Sequence, residues 1–211
     1  MRILITAGPT REPIDPVRFL SNRSTGKMGY AIAAAAALRG HEVLLISGPV
    51  NVPAPIDCQV VSVETASQMY DEVMNYSKDC DAAVMVAAVA DYTPMETSKQ
   101  KLKKSGDKDI KLKRTKDILG SMRNVFGFDG ALVGFAADTE ELRGNALSKM
   151  QRKGCDFIVA NDVSRKDIGF ESDHNEVTVF HSDGAKDHIN KCSKRDIAEK
   201  ILDKIELLLG V

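Results

Sequence analysis

Apolar residues in this chain come in short unbroken runs, and most runs close on a turn signal. Arg2 to Ala7, RILITA, is rich in β-branched residues and stops at Gly8-Pro9, which predicts a buried strand. His41 to Ser47, Cys58 to Glu64, Asp81 to Val89, Ala131 to Ala137 and Cys155 to Ala160 predict further strands of the same kind. Helical patterns lie between them. Gly29 to Arg39 is alanine-rich, with Met28, Ile32, Ala35 and Leu38 on one stripe and Gly40 as its stop. Ala66 to Ser77 and Glu140 to Lys153 are the next helices. Strand, helix, strand repeated with continuously apolar strands predicts an α/β fold: a Rossmann-like, mostly parallel sheet with helices on both faces.

The pattern changes after Asn161. Glu176 to His181 alternates and predicts an antiparallel partner near Asp187 to Asn190, giving a small C-terminal antiparallel extension over about residues 161–211. That alternating strand is expected at an exposed sheet edge, which a second copy of the chain would cover. A last helix starts after Ser193 as N-cap, with Ile197, Ile201, Ile205 and Leu208 facing inward. Thr93 to Lys116 is polar and lysine-dense between two buried strands, and at that length it reads as a functional flap (93–116). The whole, residues 1–211, is read as a single domain.

Composition then removes several classes of function. A chain of 211 residues, 43% hydrophobic, builds one substantial core. With a net charge of −1 it sets up no field that would gather nucleic acid or anionic membrane, so any anion site must be local. The longest apolar stretches, Ala31 to Leu38 and Ala82 to Ala90, are too short to span a bilayer, and the short run after Arg2 is no signal peptide. The four cysteines, Cys58, Cys80, Cys155 and Cys192, are scattered without a CxxC, which predicts free thiols in a reducing, cytoplasmic compartment.

Ligands of open α/β sheets bind beyond the carboxyl ends of strands, and there the sequence turns unusual. Gly8 to Gly29 lacks both a GxGxxG fingerprint and a GxxxxGK[ST] loop. It does bring Ser24-Thr25-Gly26-Lys27 to the start of a helix, where an anion site and a plain N-cap are equally good readings. Val86 to Tyr92 is mostly small-sided and carries Asp91, suited to a ribose hydroxyl or a metal ion, or simply to opening a turn. Lys101, Lys103 and Lys104, followed by Lys111, Lys113, Arg114 and Lys116, form either a solvated face or a cationic flap for a triphosphate. Lys149 and Lys153 share a helix face after Gly134-Phe135-Ala136-Ala137-Asp138.

Together the motifs TAGPTREPIDPVRFLSNRSTGKMG (Thr6 to Gly29), AAVADY (Ala87 to Tyr92), KLKK (Lys101 to Lys104), GFAAD (Gly134 to Asp138) and ANDVS (Ala160 to Ser164) closely resemble the bacterial branch of the phosphopantothenate–cysteine ligase family. The resemblance runs in order from the first strand to the last helix. It implies that 4′-phosphopantothenate is activated by a nucleoside triphosphate, CTP with ATP as the alternative, and then joined to L-cysteine, with Mg2+ spreading the triphosphate charge. It places Asn22 on the acyl-nucleotidylate, Arg18 at the substrate pocket and Lys101 on the triphosphate. Ser24, Gly26 and Lys27 would form the anion site, and Ala87, Asp91, Phe135, Lys149 and Lys153 the nucleotide site. It gives no metal ligands.

The family is dimeric, with the C-terminal strands in the interface, so a homodimer is expected. Bacterial members often carry a fused flavin-dependent decarboxylase domain. This sequence starts at the ligase strand, so it is expected to be either a stand-alone ligase, with a separate phosphopantothenoylcysteine decarboxylase as partner, or one domain of a longer chain. KRTKDIL (Lys113 to Leu119) departs from the family by Thr115-Lys116 in place of Asn-Pro. A nicotinamide-dependent oxidoreductase would need a glycine fingerprint and an acidic end to the second strand, which here ends Ser47-Gly48-Pro49. A nucleotide-sensing module without catalysis would have lost Asn22 or Lys101, and both are present.

Overall fold

The computed structural model describes residues 1–104, 106–138, 142–162 and 172–211. The chain opens with β1 (Arg2–Ala7), a short ribbon of β2 (Arg11–Pro13) and β3 (Phe19–Ser21), and helix α1 (Lys27–Leu38). Then come β4 (Glu42–Ser47), β5 (Cys58–Ser62), α2 (Ala66–Tyr76) and β6 (Ala82–Met85). A second ribbon pairs β7 (Tyr92–Pro94) with β8 (Leu112–Arg114), so the flap leaves and re-enters through a hairpin. After α3 (Ile118–Ser121) follow β9 (Ala131–Asp138), α4 (Leu142–Lys153), β10 (Phe157–Asp162), β11 (His174–His181), β12 (Lys186–Ser193) and α5 (Lys194–Leu209).

Among the described residues eight strands form one sheet in the order β12-β11-β10-β9-β6-β1-β4-β5. From β10 to β5 every pairing is parallel, and β11 and β12 continue the same sheet antiparallel. Alternation along each strand sorts the core into two layers. Ile3, Ile5, Val43 and Leu45 pack under α1 and α5, whereas Leu4, Leu44, Met69, Met122 and Met150 fill the side of α2, α3 and α4. Continuous apolar runs are what strands buried on both faces require. The helices begin on local signals: Thr65 and Gln68 form a capping box for α2, and the Ser193 hydroxyl accepts from the Asp196 amide at α5.

Four details differ from the sequence reading. β6 ends at Met85 instead of Val89, because the Thr6 hydroxyl accepts from the Val86 and Ala87 amides, both at 3.2 Å, and draws the chain out of the ladder. Leu38 is 75% exposed: two successive three-residue steps from Ile32 rotate it by about 120° off the buried face. Leu208 is half-exposed, since the last turn of α5 runs past its packing surface. The outer edge strand is β12, and β11 is flanked on both sides. The expected helix start at Glu140 lies outside the described residues, as does the end of the ANDVS motif. No helix among the described residues is long and apolar enough to cross a membrane.

Candidate functional site

β1 has β4 on one side and β6 on the other, so the chain reverses its direction of winding at β1. A crevice opens at such a switch point beyond the strand ends. Here it holds two adjoining cavities of about 630 and 660 Å³, within the range of small-molecule sites. Ala87, Val89, Asp91, Phe135 and Lys149 line both and form the wall between them.

The first cavity is built on the start of α1. Gly26 is the N-cap in the left-handed region (φ 77°), and a Cβ there would stand 2.5 Å from Val50. Ser24 Oγ accepts from the Gly26 amide at 3.3 Å, and no side chain caps the helix. The amides of Met28 and Gly29 in the first turn are therefore turned to the cavity end of the helix, where they suit an anion. Gly29 allows α1 to lie close on β1, since a Cβ would meet Ala7 Cβ at 2.6 Å. Opposite this helix start, Val86 to Ala90 is fixed by its backbone. The Ala88 amide donates to Gly8 O at 2.9 Å, the Ala90 amide donates to Thr10 Oγ1 at 3.0 Å, and Asn22 Nδ2 donates to Ala88 O at 2.8 Å. That last bond holds the Asn22 amide on the cavity wall and leaves its second N–H for another acceptor.

Arg23, Lys27, Lys149 and Lys194 supply positive charge to this cavity. Lys27 pairs with Asp173 at 2.6 Å, and Lys149 Nζ donates to Phe135 O at 2.6 Å. Lys194 is the buried one, 6% exposed. Burial, followed by the charge of Lys27 and opposed by Asp173, pulls its ammonium down to about 8. Asn161 and Asn175 are buried in the same wall; Asn161 Oδ1 has no hydrogen-bond partner among the described residues. A buried amide oxygen left open on a cavity is a point where a ligand donor fits.

The second cavity is framed by side chains: Arg114, Lys116 and Asp117 from the end of the flap, and Lys149, Arg152 and Lys153 from α4. Lys153 pairs with Asp117, and burial lowers its pKa. Lys116 lies over the Tyr70 ring, 4.3 Å from the centroid, and 3.9 Å from Asp71.

Of the residues expected from the sequence, Asn22, Ser24, Gly26, Lys27, Ala87, Asp91, Phe135 and Lys149 meet in the first cavity, and Lys153 joins the second. Arg18 and Lys101 line neither. Arg18 is bound to Asp15, and Lys101 is exposed on the flap. Asn161, Asn175, Lys194 and Arg152 were not anticipated. Asn161 sits in a quoted strand-end motif that could have flagged it, whereas nothing local marks Lys194, the first residue after a helix cap.

A single carboxylate, Asp91, is shared by the two cavities, and no group of three His, Cys, Asp or Glu that could hold a metal occurs among the described residues. Mg2+ bound through one carboxylate and ligand phosphates fits such a donor set. All four cysteines are free, and burial raises each thiol, Cys80 and Cys155 to about 11, so none is set up as a nucleophile.

Known proteins match this chain over nearly its full length. The chain is 44% identical over 211 residues to the coenzyme A biosynthesis bifunctional protein CoaBC of Vibrio vulnificus, covering 99% of this chain and 52% of that protein. It is 44% identical over 208 residues to CoaBC of Bacillus subtilis, covering 98% and 51%. The chain thus spans about half the length of these curated relatives. The crystal structure of the C-terminal domain of a CoaBC protein superposes with a TM-score of 0.85 at 40% identity, covering 99% of this chain and 95% of that one. The family described as DNA/pantothenate metabolism flavoprotein C-terminal domain matches residues 1–208, and with sequence and fold agreeing over that span, the chain belongs to this family.

Proposed function

We propose that this protein is a cytoplasmic phosphopantothenate–cysteine ligase that uses CTP and makes 4′-phosphopantothenoylcysteine for coenzyme A synthesis. The observation that carries the reading is the convergence, in one cavity, of the uncapped start of α1, the braced Asn22 amide and the Lys149 ammonium. The names of the relatives, coenzyme A biosynthesis proteins, point the same way.

In this reading a carboxylate oxygen of phosphopantothenate attacks the α-phosphorus of CTP, and the bond to the β-phosphate bridge breaks to release pyrophosphate. The cysteine amine then attacks the acyl carbon of acyl-CMP. The amide bond forms, CMP leaves with the former carboxylate oxygen, and the amine loses a proton. First-turn amides of α1, with Lys27 and Lys194 beside them, hold phosphate oxygens. Asn22 donates its second N–H to the acyl oxygen as charge gathers there. Asp91 is the residue that would hold Mg2+, which spreads the negative charge of the triphosphate when bound. The protein itself contributes no covalent nucleophile, in keeping with thiols that are all pushed up in pKa.

The enzyme should release pyrophosphate from CTP, phosphopantothenate and Mg2+ before any cysteine is added, near one equivalent per site. Rapid quench with mass spectrometry for acyl-CMP measures this, with ATP in a parallel arm. Pyrophosphate that appears only once cysteine is present would overturn stepwise activation.

A homodimer belongs to the same proposal, but the charged edge of β12, with Lys186, Asp187 and Lys191 exposed, opposes strand-to-strand pairing there. Val17, Phe19, Tyr92, Met95, Ile110 and Leu112 instead leave large apolar side chains exposed on and beside the two ribbons. Light scattering should give about twice the 23.0 kDa chain mass, and Phe19→Lys should shift it to one chain. A monomer at micromolar concentration, or a dimer indifferent to Phe19→Lys, would refute this interface.

A further inference from the structure

Asp15 lies in the loop between β2 and β3 with its side chain wholly shielded from solvent. Its Oδ1 accepts from the amides of Val17 and Arg18, both at 2.9 Å, which shapes the loop. Its Oδ2 is turned elsewhere. It accepts from Arg18 Nε at 3.0 Å, from Arg18 Nη2, and from the amide of Leu102 at 3.1 Å. Arg18 Nη2 in turn donates to the carbonyl of Leu102 at 3.0 Å. Both backbone polar groups of one flap residue are thus held by a single ion pair from far away in the chain. The neighbouring flap backbone is braced on the same loop, through Ser98 N to Ile14 O at 3.0 Å and Thr97 Oγ1 to Pro13 O at 3.1 Å.

Shaping the loop accounts for Oδ1 and for the bonds from Arg18 to Oδ2, and it does not account for the bond from the Leu102 amide. A clasp on Leu102 has a direct consequence for Lys101, the residue before it. Lys101 is exposed and outside both cavities, and a swing of the flap toward the crevice would turn about the residue that is fixed. We propose that Asp15 is a positioning residue acting through Lys101: with Arg18 it clasps Leu102 and makes it the pivot from which the flap lysine reaches the triphosphate. This rests on the ligase reading for what Lys101 does. Arg18 holds the Asp15 carboxyl well below the usual carboxylate range, so the pair stays charged at neutral pH.

The test is a double-mutant cycle on the full chain. Asp15→Asn removes the charge and replaces an acceptor by a donor at nearly constant volume. It should lower the rate of pyrophosphate release on the order of tenfold or more, whereas in a Lys101→Gln background it should add less than about twofold, because the two residues act as one unit. It should also speed tryptic cleavage after Lys103 and Lys104 about tenfold, since the flap has lost its anchor. Leu102→Pro removes the flap-side donor and fixes the backbone there while leaving Asp15 and Arg18 in place, so it should give the same faster cleavage and the same loss of rate if Asp15→Asn folds poorly. Equal losses from Asp15→Asn with and without Lys101 would make Asp15 merely structural and overturn the proposal. If the wild type releases no pyrophosphate from CTP or ATP, the ligase reading fails. The clasp is then judged by proteolysis, and unchanged cleavage in both variants would overturn it too.

Discussion

The two cavities share a wall but are made in different ways. The first is a backbone construction: a helix start, a strand-end loop pinned by Thr6 and Thr10, and buried amides and an ammonium behind them. The second is a gathering of long cationic side chains from the flap end and from α4, two of them already paired, Lys153 with Asp117 and Lys116 with Asp71. A backbone frame cannot rearrange without moving strands and helices, so it suits the place where charge develops during reaction. Long side chains adjust at little cost, and exposed ion pairs among them contribute little to stability. The chain therefore spends its rigidity on the first cavity.

The strongest way to break this contrast is Gly29→Val. A Cβ at this position would lie 2.6 Å from Ala7 Cβ and 3.1 Å from Val86 Cγ1, so α1 must lift from β1. We expect a stability loss of about 1–3 kcal/mol from overpacking. Activity should fall on the order of a hundredfold from misplacement of the helix start. Urea unfolding and steady-state kinetics measure the two. A variant with wild-type turnover would show that the first cavity does not depend on its backbone frame.

Lys194→Met sharpens the contrast with a smaller effect. Loss of a buried cation facing phosphate should weaken CTP binding roughly tenfold at pH 7. The pH dependence follows from a pKa near 8 in the fold against an ordinary 10.5. Between those values the unfolded chain holds a proton that the folded chain has shed, so wild-type stability gains from this group as pH rises through the window. Anion binding goes the other way and weakens as pH rises through about 8, because it needs the charged form. The methionine variant should lose both trends and be more stable than wild type at pH 7. Calorimetric titration and urea melts at pH 7 and pH 9.5 check this; a variant that keeps the wild-type pH profile would remove Lys194 from the site.

What the sequence determined by itself is the layered α/β body and half of the site. Unbroken apolar runs such as Ile3 to Ala7 can be satisfied only by burial on both faces, and the caps at Thr65, Ser193 and Gly40 are local events. Motifs at strand ends led to Gly26 and Asp91 because the crevice must open there, and the family resemblance added Asn22 and Phe135. Tertiary structure alone decided the rest. The end of β6 depends on a hydroxyl 80 residues earlier, and the clasp on Leu102 joins residues 87 apart. Lys194 becomes a site residue only because β12 and α5 carry it, beside Lys27, into a place where water is scarce. Runs and caps are read between neighbours in the chain, whereas burial of a charge and the meeting of distant hydrogen-bonding groups exist only once the chain is packed.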